Sequence, residues 1–263
     1  MAGIPIWYEL MAPDPDAVRD FYRAVLGWEI ASTGAPVGGD NDYRAIRRGD
    51  GGMAGAVLKL SQDMIAHGAK PGWVPYFHVE DVGAAIDKAR DLGGQLWMGP
   101  RTIEVGTMAM LGDPQGAAFY VMDPVPPRGQ PDAKSDAFQP DTPGHCAWNE
   151  LETTDEPAAT AFYTALFGWG AEQAMPMGEK GHYRFITAGE ERLGAINPWM
   201  ADYMTVGWLP YFAVADIDAA RAAAEASGGK VTNDIHEVPG GGFIFNTIDP
   251  AGAPVAFVGP RGT

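Results

Sequence analysis

The fold of this chain is decided by a stretch that occurs twice: residues 7–28 read WYELMAPDPDAVRDFYRAVLGW, and residues 148–169 read WNELETTDEPAATAFYTALFGW. The two stretches align without a gap. Both keep a Trp-x-Glu-Leu opening, an acidic residue, a Phe-Tyr pair and a closing Gly-Trp. Such internal repetition predicts two copies of one structural unit in tandem.

Further matches extend the repeat over most of the 263 residues. Residues 72–77 (GWVPYF) return as residues 207–212 (GWLPYF), and an Asp-Pro-x-Gly turn follows in each copy. Between the copies, six prolines and little apolar periodicity indicate an extended linker. The chain is long enough for two domains of ordinary size, each with its own core. We therefore predict a first domain at residues 1–122, a proline-rich linker at 123–144 and a second domain at 145–263.

Each copy reads as two similar halves, and each half as a strand, a helix and further strands. Ile6–Met11 alternates like a strand, and Asp14 and Pro15 are typical of a helix start. Gly27 predicts the end of that helix. The second half repeats this order, with Asp81 as the residue that caps its helix. The prediction is an α+β fold of four βαβββ units, two in each domain.

The helix pattern with Phe21-Tyr22 and Leu26-Gly27-Trp28, together with the Asp-Pro-x-Gly turn before a closing strand, resembles the vicinal oxygen chelate superfamily. That group includes glyoxalase I, extradiol dioxygenases and bleomycin-resistance proteins. The tandem layout is most similar to its glyoxalase-like branch, and the resemblance covers residues 4–122 and 145–258. It implies that each pair of βαβββ units curls into a cupped mixed sheet, with the helices outside and the ligand inside the cup.

The resemblance also implies where a divalent metal would bind. The superfamily's enzymes take His and Glu ligands from the first and fourth strands, from the strand that opens the second unit and from the closing strand. Such a metal needs about three protein donors. Counted from the matching motifs, three of these positions hold poor ligands in both copies, and the fourth strand offers no carboxylate or imidazole. The residues are Trp7, Val74 and Tyr120 in the first copy, and Trp148, Leu209 and Ala256 in the second. No cofactor is therefore expected, and a divalent metal would need a non-standard ligand set.

Strand alternation predicts which side chains line the two cups. Tryptophan, tyrosine and methionine suit a planar, mostly apolar molecule held by one or two polar contacts. The same residue types are equally typical of a packed core. The predicted ligand-binding residues are Trp7, Glu9, Tyr76, His78, Met108, Met110, Tyr120, Trp148, Glu150 and Tyr211. Among them, Glu9 and His78 are the candidate catalytic residues.

The inward-facing carboxylates Glu9 and Glu150 allow two interpretations. A buried charge needs a partner, and Arg44 and Arg184 occupy matching positions from which each could supply one. Alternatively, the carboxylate acts as a general base or accepts a hydrogen bond from a ligand. His145, near a strand start, is expected at the surface or at the rim of the cup.

The net charge of −16 argues against nucleic acid and anionic membranes as partners. No apolar run approaches the length of a membrane-spanning helix, and the first residues do not resemble a signal peptide. A single cysteine, Cys146, excludes an internal disulfide and is typical of the cytoplasm. Fusing two copies predicts an intramolecular pseudo-dimer, as a monomer or a homodimer.

Two functions remain open from the sequence. The first is a metal-free binding protein that holds a small aromatic or hydrophobic molecule in a Trp-, Tyr- and Met-lined cup. The second is an enzyme, either a lyase or an oxidoreductase of the glyoxalase or dioxygenase type, that uses Glu9 or His78 with a non-standard metal site or without metal.

Overall fold

A computed structural model describes residues 2–36, 42–198 and 205–262 and places them in two mixed nine-stranded sheets with helices. The first sheet is formed by residues 5–124, so its last strand extends two residues into the predicted linker. Its strands are β1 (Pro5–Ala12), β2 (Glu29–Ile30), β3 (Ala35–Pro36), β4 (Asp42–Arg47), β5 (Met53–Lys59), β6 (Gly72–His78), β7 (Gln95–Ile103), β8 (Gly106–Gly112) and β9 (Ala118–Pro124). The strand order is β2-β4-β5-β1-β6-β9-β8-β7, and β3 pairs with β4.

The second sheet repeats this arrangement. Its strands are β10 (Cys146–Glu152), β11 (Ala174–Pro176), β12 (His182–Ala188), β13 (Glu191–Asn197), β14 (Gly207–Ala213), β15 (Lys230–Val231), β16 (His236–Glu237), β17 (Phe243–Ile248) and β18 (Pro254–Gly259). The order is β11-β12-β13-β10-β14-β18-β17-β15, and β16 pairs with β17. In both sheets the opening strand pairs in parallel with the fourth main strand, β1 with β5 and β10 with β13.

The helices that the sequence predicts after Asp14 and after Asp81 are present, whereas the short helix at Gln62–Ala66 was not predicted. They are α1 (Pro15–Leu26), α2 (Gln62–Ala66), α3 (Val82–Asp91), α4 (Glu156–Phe167) and α5 (Ile217–Ala226), with a short 3₁₀ turn at Gly178–Lys180. Asp14 accepts a hydrogen bond from the backbone at the start of α1, and Asp81 does so for α3. Gly27 ends α1 in the left-handed conformation at φ 68°, which a residue with a Cβ adopts only with strain. The predicted α+β fold of four βαβββ units is therefore confirmed.

The chain packs into two compact units that do not follow the tandem copies. The first unit comprises residues 1–7, 74–135 and 148–208, and the second comprises 8–73, 136–147 and 209–263. Each unit thus combines one half of the first copy with one half of the second. The domain boundaries at 122 and 145 stay a prediction from the sequence.

Within each unit, aromatic residues of the repeated motifs build the core. In the first unit, Tyr163 stacks on Trp169 at a centroid distance of 5.6 Å. In the second unit, Tyr22 stacks on Trp28 at 5.5 Å. The Phe-Tyr and Gly-Trp motifs that identify the fold are therefore core residues, and they carry packing rather than chemistry.

A tyrosine–aspartate hydrogen bond inside each unit joins residues from different tandem copies. Tyr22 of the first copy donates to Asp249 of the second at 2.9 Å, and Tyr163 of the second copy donates to Asp113 of the first at 3.2 Å. Both aspartates belong to the Asp-Pro-x-Gly turns. Burial raises the pKa of Asp249 to about 6, although backbone N–H groups and Tyr22 partly offset that effect.

Two local predictions differ from the structure. His145 is not at a surface or rim, because its side chain is 1% exposed. The predicted linker is not a simple extended tether: Ala137 and Phe138 are buried, and Phe138 forms a backbone bridge with Cys146.

Across the described ranges, no helix is long and apolar enough to cross a membrane.

Candidate functional site

One face of β10 carries a tryptophan and two carboxylates at alternating positions. Trp148, Glu150 and Glu152 follow one another at intervals of two residues, so their side chains point to the same side of the sheet. Both glutamates are buried. On the neighbouring β13, Ala195 lies opposite Glu150, and Asn197 lies opposite Glu152. The first unit therefore contains two acidic groups in one buried place.

Hydrogen-bond donors surround this pair. Tyr183 Oη donates to Glu150 Oε2 at 2.5 Å and accepts a bond from Trp148 Nε1 at 2.9 Å. Asn197 Nδ2 donates to Glu152 Oε1 at 3.1 Å and lies 3.5 Å from Glu150 Oε1. We call Glu150, Glu152, Tyr183 and Asn197 the acidic cluster.

Glu152 of the acidic cluster keeps its proton at neutral pH. Burial raises the pKa of Glu152 to about 9, and the negative charge of Glu150 adds to that increase. Burial and the same carboxylate also raise the pKa of Tyr183, so its phenol keeps its proton. Glu152 is therefore a neutral carboxylic acid near pH 7.

Sequence reasoning identified Glu150 in this cluster but missed Glu152, Tyr183 and Asn197. Alternation along β10 was the signal for Glu152, because it lies two residues after Glu150. The first copy gives no such signal, since Met11 occupies the matching position and lies opposite Leu58 on β5. The acidic cluster is thus a feature of the second copy alone.

A second candidate surface lies on β6, β9 and β8 of the first sheet, also within the first unit. Tyr76 lies opposite Tyr120, and His78 lies opposite Met122. The rings of Tyr76 and Tyr120 stack at a centroid distance of 4.0 Å and an angle of 15°. We call this surface the Tyr–Met face. Its members are Tyr76, His78, Met108, Met110, Tyr120 and Met122.

The Tyr–Met face is the side of the sheet away from the helices. Phe77 and Phe119 occupy the alternate positions on β6 and β9, and both pack against Phe167 of α4. Because side chains alternate along a strand, Tyr76 and Tyr120, each next to one of these phenylalanines, point to the side of the sheet away from α4. Within this face Tyr76, Tyr120 and Met108 are buried, and His78 and Met110 are half-buried. Five predicted ligand-binding residues thus come together here.

The other predicted site residues lie on neighbouring strands. Trp7 is half-buried in β1, and Glu9 is buried two residues further along it. Tyr211 is buried in β14, opposite Ala256. Glu9 belongs to the second unit and His78 to the first. The assignment of Glu9 or His78 as a catalytic residue stays a prediction.

Of the two interpretations of the inward glutamates, the pairing with Arg44 and Arg184 is wrong. Arg44 forms its ion pairs with Asp42 and Asp16, at 2.7 and 2.8 Å. Arg184 pairs at 2.6 Å with Glu156, the first residue of α4, and not with Glu150. Arg44 on β4 and Arg184 on β12 therefore each bind an acidic residue at the start of a helix, Asp16 or Glu156, because that helix lies on the same side of the sheet as the arginine.

Asp50, Asp136 and His145 of the second unit could in principle hold a cation, since one ligand atom from each lies within 4.8 Å of the others. However, buried Arg48 already forms ion pairs with Asp50 at 3.2 Å and with Asp136 at 2.5 Å. His145 Nδ1 lies 2.6 Å from the Asp136 carbonyl oxygen. Because the Arg48 guanidinium supplies the positive charge, this cluster reads as an ion-pair network.

The side chains at the expected metal-ligand positions do not fit a divalent metal. Trp148 uses its indole N–H to bind Tyr183, and an indole has no free lone pair for a metal. Tyr120 has an oxygen, but its ring is stacked on Tyr76. Val74, Leu209 and Ala256 have no ligand atom. We therefore derive no chemical step through a metal at these positions.

Comparison with known proteins agrees with this architecture. The chain is 31% identical over 252 residues to a Mycobacterium tuberculosis protein named "Putative glyoxylase CFP32", covering 95% of this chain and 92% of that protein. It is 30% identical over 269 residues to the "Anthracycline biosynthesis protein DnrV" of Streptomyces peucetius, covering 95% and 91%.

Solved structures share the fold at low sequence identity. The Mn(II)-bound glyoxalase from Novosphingobium aromaticivorans superimposes with a TM-score of 0.66 at 14% identity, covering 100% of this chain and 84% of that one. The 2,3-dioxygenase LapB from Pseudomonas sp. KL28 gives 0.63 at 14% identity, covering 100% and 94%. A sequence model matches residues 5–121 and 142–257. The chain therefore belongs to the Glyoxalase/Bleomycin resistance protein/Dioxygenase superfamily.

Proposed function

We propose that this protein binds a small, planar, largely apolar molecule, and that it does so without a metal at the superfamily's usual ligand positions. The observation that carries the proposal is the Tyr–Met face, where two stacked tyrosines and three methionines share one side of three adjacent strands. Aromatic rings and thioethers offer broad, polarisable contacts that suit a flat ligand.

The acidic cluster adds polar contacts to a second aromatic surface. Phe185 packs edge-on against Trp148 and Tyr183, at centroid distances of 6.1 and 5.5 Å. Three rings therefore lie beside two carboxyl groups within the first unit. A mostly apolar lining with a few placed polar groups is the usual character of a small-molecule site.

The comparisons support the same ligand class. One relative is named for anthracycline biosynthesis, and anthracyclines are polycyclic aromatic compounds. Other relatives and solved structures are named as glyoxylases, glyoxalases and dioxygenases, whose substrates are small molecules.

Binding is tested with 2-ethylnaphthalene as a neutral aromatic probe, followed by tryptophan emission and by the melting temperature. We expect the probe to change the emission and to raise the melting temperature, since a ligand that binds only the folded state stabilises it. Tyr76→Leu should weaken binding. Tyr211→Leu, at the same motif position in the second copy, should weaken binding less, because Tyr211 lies opposite Ala256 and not opposite a second tyrosine. Unchanged emission and melting in the wild-type protein would rule the proposal out.

A second candidate function is a lyase or dioxygenase-type enzyme in which Glu9 or His78 transfers a proton, with a non-standard metal site. The solved neighbours favour it, since one is a Mn(II)-bound glyoxalase and others are dioxygenases. Metal analysis of the purified protein separates the two functions. Stoichiometric metal that survives dialysis against a chelator, and that is lost in Glu9→Gln or in His78→Ala, would favour the enzyme.

We also propose that the protein is cytoplasmic and that its partner is a small molecule. The charge of −16 supports a small-molecule ligand over nucleic acid or an anionic membrane. The single buried cysteine is compatible with a reducing cytoplasm. Sedimentation would decide between a monomer, in which the tandem copies form an internal pseudo-dimer, and a homodimer.

A further inference from the structure

The acidic cluster leaves one carboxyl oxygen without a hydrogen bond. Glu150 Oε2 accepts from Tyr183, and Asn197 donates to Glu152 Oε1 and lies near Glu150 Oε1. Glu152 Oε2 is buried and has no hydrogen-bond partner in the part of the chain that the structure describes. A buried polar atom in this state carries a free-energy cost until a partner arrives.

The matching place in the first copy shows that the fold does not need this oxygen. There the opposed pair is Met11 and Leu58, which fill the same positions as Glu152 and Asn197 with apolar side chains. Because the sheet forms in both copies, Glu152 and Asn197 are not required to pair β10 with β13. Their presence points to a purpose other than folding.

Glu152 also lacks a positive partner. It forms no ion pair among the described residues, and its neighbours are Asn197, which donates an N–H, and the acidic Glu150, whose negative charge and hydrogen bond both add to burial in raising the pKa of Glu152. Two adjacent carboxyl groups avoid mutual repulsion when one of them keeps its proton.

We propose that Glu152 is a neutral carboxylic acid that donates a hydrogen bond from Oε2 to an oxygen acceptor on the bound ligand. This deepens the proposed function and rests on it for the ligand. The carboxyl proton and the neighbouring rings of Trp148 and Phe185 together select an aromatic ketone or quinone, which offers a flat apolar body and a carbonyl oxygen.

The surroundings favour a proton over a metal cation in this place. Tyr183 points its O–H at Glu150, and Asn197 directs its amide nitrogen at the carboxyl oxygens. A divalent cation would require oxygen lone pairs from these residues, whereas they present hydrogens. The pKa of Glu152, which burial raises to about 9, agrees with the protonated form.

The proton is tested without any ligand by infrared spectroscopy at pH 7. We expect the wild-type protein to show the C=O band of a buried carboxylic acid, which shifts in D₂O and is absent from Glu152→Gln. Glu9→Gln, at the matching position of Glu150 in the first copy, should keep the band. A wild-type spectrum without the band, or Mn²⁺ binding that Glu152→Gln abolishes, would overturn the proposal.

The ligand contact is tested with 2-acetylnaphthalene and 2-ethylnaphthalene, which differ chiefly in one carbonyl oxygen. One additional hydrogen bond should make 2-acetylnaphthalene bind the wild-type protein about tenfold more tightly. Glu152→Met, which introduces the residue of the first copy, should remove this preference and keep the binding of 2-ethylnaphthalene. Glu152→Gln should retain part of the preference, because its amide can donate.

The outcomes separate the two proposals. If neither probe binds the wild-type protein, the proposed function fails, and the infrared band still decides whether Glu152 is protonated. If both probes bind and Glu152→Met leaves their ratio unchanged, the proposed function stands and the role of Glu152 is refuted.

Discussion

At the scale of single residues, the structure shows that a buried charged side chain binds a group that lies close to it in the fold, and that matching positions in the two copies do not identify that group. Sequence position suggested Arg184 for Glu150, because both recur in the two copies. In the structure, the arginine binds Glu156 at 2.6 Å, and Tyr183 binds Glu150. Counting residues along the strands identified the glutamates that point away from the helices. It could not show that Arg184 points to the other side of the sheet, where α4 lies and Glu156 is the acidic residue within reach.

Replacing Arg184 should therefore affect the start of α4 and not the acidic cluster. Arg184→Met leaves the buried carboxylate of Glu156 without its ion pair, and we expect the free energy of unfolding to fall by about 3 kcal/mol. Urea denaturation measures the change. The double variant Arg184→Met with Glu156→Gln should regain a large part of this loss. A double variant as unstable as the sum of the single variants would contradict the pairing.

The protonated Glu152 predicts a dependence of stability on pH. Its pKa is raised from 4.5 in the unfolded chain to about 9 in the folded protein, so the folded state binds the extra proton between these values. The stabilisation is complete below about pH 4.5 and is lost as the pH rises through 9. The groups that face Glu152 or its partner are Glu150, Tyr183 and Asn197.

Urea unfolding between pH 5 and 9 tests this directly. From pH 5 to 9, the wild-type protein should lose stability relative to Glu152→Gln by up to about 1.4 kcal/mol per pH unit, because glutamine carries no titrating proton. Glu9→Gln changes the first-copy counterpart of Glu150 and leaves Glu152 in place, so it is the control variant. Parallel curves for the wild-type protein and Glu152→Gln would show that Glu152 is ionised throughout this range.

At the scale of elements, the sequence predicted most of the fold, because local chemistry determines where helices and strands begin. Asp14 with Pro15 and the closing Gly27 predicted α1 correctly. The pairing partner of an element is not local, however. The Asp113 and Asp249 turns were recognised as motifs, but their hydrogen bonds to Tyr163 and Tyr22 could not be deduced from the sequence. The acidic cluster could not be predicted in full for the same reason, since Tyr183 on β12 and Asn197 on β13 bind glutamates that lie on β10.

The end of α1 provides a prediction at this scale. Gly27 has φ 68°, and Gly27→Ala should cost about 1–2 kcal/mol because a Cβ is strained in that conformation. Gly168→Ala, at the end of α4 with φ 75°, should have a similar effect. Gly72→Ala is the control, since its backbone is not left-handed and a Cβ there meets no atom within 4 Å. Equal effects of all three on the urea midpoint would contradict the role of the left-handed ends.

At the scale of the whole molecule, the duplication in the sequence does not coincide with the units of the fold. Each unit takes one half from each copy, and inside each unit a tyrosine of one copy binds an aspartate of the other. The repeat reveals that two copies exist, but it carries no information on which half packs with which. The tandem arrangement therefore supplies both parts of each core at high effective concentration.

It follows that neither copy should fold alone as a monomer resembling the full chain. A fragment of residues 1–122 keeps Tyr22 and Trp73 but lacks Asp249, and it keeps Asp113 but lacks Tyr163. We expect this fragment to be poorly structured or to dimerise with itself, so that a second copy supplies the missing half. Co-expression with residues 123–263 should restore a complex with the circular dichroism spectrum and cooperative melting of the full chain. Tyr22→Phe, which leaves two buried polar groups without a partner, should weaken that complex. Residues 1–122 could instead give a monomer in sedimentation that melts as cooperatively as the full chain. The packing of one half of each copy against a half of the other would then not be needed for folding, and each copy would be an independent domain.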